Sequence, residues 1–141
     1  MSLRFANVYG PHQEPHGEAG VVAIFMGLLT GDGTPTIFGD GRQTRDYVHV
    51  GDVVSSITAA LASVAGGVYN IGTGVETSVV ELYDAIQAAT GIRREPAFAP
   101  PRLGELQRSV LDPSLAAREL GWRPERSLAE GLADTWSWVT A

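Results

Sequence analysis

TIFGDGRQTRDYVHVGD, residues 36–52, sets two strand-like runs around a turn, and the fold is read outward from it. Thr36 to Phe38 and Tyr47 to Val50 are rich in the β-branched and aromatic residues that strands favour. Between them Gly39, Asp40 and Gly41 carry turn chemistry, because Gly accepts positive φ and Asp bonds its own backbone. The pattern predicts a hairpin. Side chains alternate along an extended segment, which puts Arg45, Tyr47 and His49 on one face and Asp46, Val48 and Val50 on the other. An arginine and an aromatic on one face suit a clamp for a phosphorylated ligand carrying a flat base. On these residues alone, an edge hairpin with a solvated arginine is the competing reading.

Composition narrows the classes. The chain has 141 residues, 44% hydrophobic and 18% charged, which predicts one globular α/β domain over residues 1–141 with a real core. A net charge of −6 with ten scattered arginines argues against nucleic acid as a partner, since that needs clustered positive charge. The absence of cysteine removes disulfides, thiol nucleophiles and thiolate zinc sites. The apolar run from Val21 to Met26 is too short for a bilayer, so no membrane is expected, and the cytoplasm is the expected location. Every basic residue is arginine. Without lysine the chain has no Schiff base, no P-loop and no Tyr-x-x-x-Lys dyad.

In chain order, Leu3 to Tyr9 reads as one strand buried on both faces, as in a parallel sheet. The loop after it holds His12 and His16, loosely spaced among prolines, which fits a solvated loop and no metal site. Glu18 to Thr30 is apolar nearly all round, predicting a helix held between layers and stopped by Gly31. Asp52 is expected to cap a helix running to about Ala65. Val68 to Ile71 is a short strand leading into Gly72-Thr73-Gly74, where Thr77 stands in place of the third glycine of a dinucleotide turn. Ser78 with Glu81, and Ser127 with Glu130, form capping boxes for two helices, the first ending near Thr90 before Gly91. Glu95 to Leu111 reads as a proline-rich loop or lid with a strand at its centre. Asp112 and Pro113 open a short helix stopped by Gly121. Trp136 and Trp138, on the last helix, are expected to pack in the core.

Four motifs in this order, LRFANVYGPHQ (3–13), FGDGRQTRDYVHVGDVV (38–54), VYNIGTG (68–74) and RLGELQRSVLDPSLAARELGW (102–122), resemble the C-terminal half of the NAD-dependent sugar-nucleotide epimerase/dehydratases. These are extended short-chain dehydrogenases. PHGEAGVVAIF (15–25) brings the likeness toward their UDP-glucose (UDP-galactose) 4-epimerase branch. The resemblance implies a substrate-binding half: a small mixed α/β domain plus strands of an incomplete Rossmann sheet, with the N-terminal NAD-binding half absent. In the family that other half supplies the glycine fingerprint and the Tyr-x-x-x-Lys dyad, so no catalytic residue is assigned here. NAD belongs to the full-length enzyme, and none is expected to bind this chain alone.

Carried over by position, the resemblance implies that Asn7, Arg45 and Arg102 hold the diphosphate sugar, with Tyr47 beside Arg45. Gly20 and Val21 would meet the uracil or phosphates, Phe38 would flank the base, and Glu105 would meet the ribose. Phe5 and Ala6 would lie near the nicotinamide. Ser109 falls where residue size sets the room at the sugar C2, so its small side chain implies acceptance of both hexose and N-acetylhexosamine forms. Asp40, Asp46, Asp52 and Asn70 are read as turn, capping or packing residues. The implied reaction oxidises the sugar at C4 with NAD, turns the 4-keto intermediate and reduces it from the other face. A nucleotide-sugar dehydratase or decarboxylase portion, or a noncatalytic nucleotide-sugar-binding module, is the alternative. Unpaired apolar strand edges predict self-association of the isolated chain.

Overall fold

The computed structural model describes residues 1–15 and 20–141; His16 and the first residues of the predicted Glu18–Thr30 helix lie outside the described residues. The N-terminal apolar run is extended, but it changes partner midway. β1 (Ser2–Phe5) pairs in parallel with β6 (Val68–Ile71), and β2 (Asn7–Tyr9) pairs in parallel with β5 (Tyr47–His49). The switch falls at Ala6, whose N–H donates to Ile71, while the next amide, Asn7, donates to Asp46. The expected burial on both faces does not hold. Among the described residues β1 pairs on one side only, and Phe5 is 45% exposed.

The predicted hairpin is also absent. β3 (Thr36–Phe38) runs parallel to β8 (Ala97–Ala99), and β5 goes to β2 instead. The turn between them leads into an extra strand, β4 (Thr44–Arg45), which lies between β7 (Thr77–Ser78, antiparallel) and β9 (Arg108–Ser109, parallel). Gly39 and Gly41 do adopt positive φ, 71° and 72°. At Gly41 a Cβ would also run into Val80 and Ile37, so no other residue fits without displacement. The 95–111 segment therefore holds two strands, one toward each end, where a single central strand was expected.

Helices form where local signals are complete. α1 (Val21–Leu29) ends on Thr30 rather than Gly31, and Arg94 donates from its guanidinium to the carbonyl of Leu28 in the last turn and to those of Gly31 and Gly33 just beyond it. α3 (Val79–Thr90) and α5 (Leu128–Val139) both carry the reciprocal Ser–Glu capping boxes, and α3 stops on Gly91 at φ 72°. α4 (Ser114–Glu119) starts where the Asp112 carboxylate accepts from the Ser114 N–H. α2 spans Val50–Ala62, the expected length but shifted about one turn toward the N-terminus, and His49 caps it through Nδ1 to the Gly51 N–H at 3.1 Å. Asp52 sits within the first turn and accepts instead from the amides of Glu125 and Arg126, fastening the distant chain to α2.

Alternation along β5 divides two cores. Tyr9, Tyr47, Phe25, Met26, Leu82, Tyr83 and Leu132 pack between α1, α3 and α5. On the other face Val48 joins Val53, Tyr69, Ile71, Ala116 and Trp122, whose indole N–H donates to the Asp52 carbonyl at 3.0 Å. Trp136 packs against the first core, but Trp138 stays partly exposed and rests on His12, ring centroids 5.0 Å apart.

Candidate functional site

Where the first core meets β3, β4 and β5 it leaves a cavity of about 280 Å³. Arg45 and Tyr47 both line it, as strand alternation requires of residues two apart. Asp46 between them points the other way, and His49 lies beyond the cavity against Tyr9, ring centroids 5.5 Å apart. Val50, assigned by sequence to the strand, is the first residue of α2.

The Arg45 guanidinium is already oriented. Nη1 donates to the Leu106 carbonyl at 2.7 Å and to its own strand at Thr44, while Nη2 stands 3.5 Å from Glu105 Oε1. Its side chain is only 16% exposed, so its charge acts in a poorly screened place. Arg102 reaches the cavity from the loop after β8 and lies over the Phe38 ring, 3.9 Å from the centroid, a cation–π contact joining two lining residues. Asn7 enters from β2, and Gly20 with Val21 from the N-terminus of α1. Two arginines face a single carboxylate here, in a chain whose net charge is −6. The cavity is thus locally suited to an anion.

Tyr47 adds a second sign of a ligand. It is 6% exposed, and its hydroxyl has no hydrogen-bond partner among the described residues. Burial pushes the phenol up to about 12, with Glu105 reinforcing and Arg45 opposing. The group is therefore a neutral O–H donor at any physiological pH, waiting for an acceptor.

Eight of the nine sequence-predicted substrate residues meet around this cavity. Ser109 is not among its lining residues; it pairs with Arg45 across β4 and β9 and accepts from the Asp46 N–H through its carbonyl. Phe5 and Ala6 lie away from the cavity, at the end of β1. Sequence reasoning missed Gln43, 6% exposed, which lines the cavity and donates from Nε2 to the Phe38 carbonyl at 3.0 Å. The signal was present, since 43, 45 and 47 continue the same two-residue alternation.

The Gly72–Thr73–Gly74 turn does not fit a dinucleotide. The N–H groups of Thr73 and Gly74 are donated to the Asp46 carboxylate, and a Cβ on Gly72 would strike that carboxylate. A pyrophosphate would find these donors already taken. Asp40 and Asn70 make local turn and inter-loop contacts, to the Arg42 N–H and the Asp112 carbonyl.

At the far end of β5, His49 is buried, with Nε2 3.3 Å from Asp134 Oδ2. Burial holds its pKa below the ordinary imidazole value and Arg126 lowers it further, while Asp134 and Asp52 oppose the shift.

Comparison with known proteins gives the geometry a context. The model of the NAD dependent epimerase/dehydratase family matches residues 1–72. The chain is 57% identical over 131 residues to a UDP-glucose 4-epimerase of Mycolicibacterium smegmatis, covering 92% of this chain and 42% of that protein. It superposes on the crystal structure of a UDP-glucose 4-epimerase from Thermotoga maritima with UDP-glucose, at a TM-score of 0.95 and 46% identity over 98% of this chain and 45% of that one. The Thermus thermophilus UDP-glucose 4-epimerase in complex with NAD gives a TM-score of 0.87 and 44% identity, over 99% of this chain and 46% of that one. The chain therefore spans a little under half the length of these relatives.

Proposed function

The chain belongs to the NAD-dependent epimerase/dehydratase family, and we propose that it is the UDP-sugar-binding portion of a UDP-glucose 4-epimerase-like enzyme. In this reading residues 1–141 form one substrate-binding domain. The observation that carries it is the junction of Arg45, Arg102 and Tyr47 at one cavity, the Tyr47 hydroxyl being buried without a partner among the described residues. A diphosphate supplies the anion that forked guanidinium groups recognise and the acceptor that the phenol lacks. Phe38, under Arg102, offers a flat face for the base. Glu105 takes the ribose hydroxyls, Asn7 bonds the diphosphate sugar, and Gly20 and Val21 meet the nucleotide from the start of α1.

The reaction class is C4 epimerisation by transient oxidation with NAD, to which this chain contributes the grip on the nucleotide and no proton- or hydride-transfer group. Its own contacts with the cofactor are limited to Phe5 and Ala6 at the end of β1. A grip concentrated on the phosphates leaves the hexose free to turn, which an epimerase requires. Ser109 lies outside the cavity lining but in register with Arg45 across β4 and β9; in this reading its small side chain leaves room at the sugar C2, so UDP-glucose and UDP-N-acetylglucosamine both bind, and Ser109→Tyr selectively weakens the second. Among the described residues no helix is long and apolar enough to cross a membrane. We place the protein in the cytoplasm, self-associating through its open strand edge.

Calorimetric titration with UDP tests the reading. The chain takes up UDP, and Arg45→Met lowers the affinity by about tenfold to a hundredfold, the equivalent of about 1.5–3 kcal/mol for a desolvated charge-assisted bond. Unchanged affinity in the folded variant contradicts it.

A further inference from the structure

Asp46 separates Arg45 from Tyr47 in sequence but faces the opposite side of the strand. It is 1% exposed, and among the described residues it has no ion-pair partner. Its carboxylate is satisfied by neutral donors alone. Oδ1 accepts from the Thr73 N–H at 2.9 Å and the Thr73 hydroxyl at 2.6 Å. Oδ2 accepts from the Gly74 N–H at 3.1 Å and the Leu111 N–H at 3.4 Å. Its backbone is tied as well: its N–H donates to Ser109 at 3.0 Å and its carbonyl accepts from Asn7 at 2.9 Å.

Each tie reaches a different segment. The Asn7 amide belongs to β2, which supplies a cavity side chain; Ser109 and Leu111 follow directly on the loop that carries Arg102 and Glu105; Thr73 and Gly74 form the turn after β6. One buried residue thus joins the strands bearing Asn7, Arg45 and Tyr47 to the base of the loop bearing Arg102. The close approach of Gly72, where a Cβ would strike Oδ2, shows that the turn is shaped around this carboxylate. A buried carboxylate is expensive to desolvate, so a packing role alone would be met more cheaply by an apolar side chain.

We propose that Asp46 is a positioning residue for the ligand grip, fixing Arg45 and Tyr47 in register with Asn7 and the Arg102 loop. This rests on the reading of the cavity as a UDP-sugar site. Asp46→Asn preserves the volume, but whichever way the amide turns, its NH₂ faces an N–H donor. Thr73→Val is a gentler variant that removes one donor to Oδ1, together with the acceptor of the exposed Val75 N–H, and keeps the Thr73 N–H to Asp46. Asp52→Asn is the control, since Asp52 is buried, accepts from two backbone N–H groups and lies outside the cavity.

UDP titration of the folded variants, alongside their melting temperatures, tests the assignment. Asp46→Asn lowers UDP affinity about tenfold and Thr73→Val about threefold, whereas Asp52→Asn lowers the melting temperature and leaves affinity unchanged. Should Asp46→Asn not fold, Thr73→Val carries the test by itself. UDP affinity unchanged in Asp46→Asn, or in Thr73→Val where that variant stands alone, overturns the assignment. So does an affinity loss in Asp52→Asn as large as in Asp46→Asn at equal destabilisation. A wild-type chain that takes up no UDP overturns the functional reading, and this assignment with it.

Discussion

The Tyr47 hydroxyl is buried without a partner among the described residues, and such a group ordinarily costs stability unless a ligand completes it. Tyr47→Phe separates the two roles. Removing the oxygen leaves the melting temperature the same or higher, while UDP affinity falls about threefold to tenfold, read by calorimetry. Equal losses in both would mark the hydroxyl as a plain packing group. His49 makes a different residue-scale prediction. Its folded pKa is depressed by burial and by Arg126, so the unfolded chain binds a proton more readily. Stability is therefore present above the unfolded value of about 6.5 and is lost as pH falls below it. Protonation also removes the Nδ1 acceptor that caps α2. His49→Asn keeps an acceptor at the cap and flattens the melting-temperature slope between about pH 5 and 7; an unchanged slope would assign it to other groups. The alternation that pairs Arg45 with Tyr47 is a local property and was readable from sequence. The choice of His49 over Asp52 as cap was not, because the amides that claim Asp52 come from residues 125 and 126, far along the chain.

Among the elements, those defined by neighbours in sequence were the legible ones. Both capping boxes need only residues three apart, and both formed. Ser78→Ala or Ser127→Ala should each cost about 1 kcal/mol in urea unfolding, with UDP affinity untouched. Strand pairing was misread because its partners are distant: β3 pairs with β8 and β5 with β2, so a strand–turn–strand pattern produced no hairpin. The N-terminal run was misjudged for a related reason. Its apolar composition specifies a strand, but exposure depends on which strands flank it. Docking of α5 adds a constraint no pattern revealed. Gly131 lies so close to the Tyr9 hydroxyl and the His49 ring that a Cβ has no room. Gly131→Ala is expected to destabilise more than either cap variant, despite the higher helix propensity of alanine. A melting temperature at or above wild type would show that α5 can shift freely.

At the scale of the whole molecule, apolar side chains stay exposed in several places among the described residues. Phe5 and Val68 lie on opposite faces of the β1–β6 pair, whereas Val54, Ile57 and Leu61 of α2 are spaced as one helical face. An open strand edge and apolar surface of this kind both favour association, and light scattering should show species larger than one chain; persistence in Val54→Glu with Leu61→Glu assigns the contact to the strand edge, and dispersal assigns it to α2. A monomer at high concentration would contradict this. A parallel pairing for the N-terminal run follows from its apolar composition, but the choice of strand partners does not, and the cavity required the motifs as well, because Arg102 and Glu105 reach Arg45 across more than fifty residues. Their convergence on one ligand is read by titrating UDP into the chain and into Arg45→Met/Arg102→Met. Saturable heat from the wild-type chain and none from the folded double variant is the predicted result. Equal UDP binding by both proteins would contradict it.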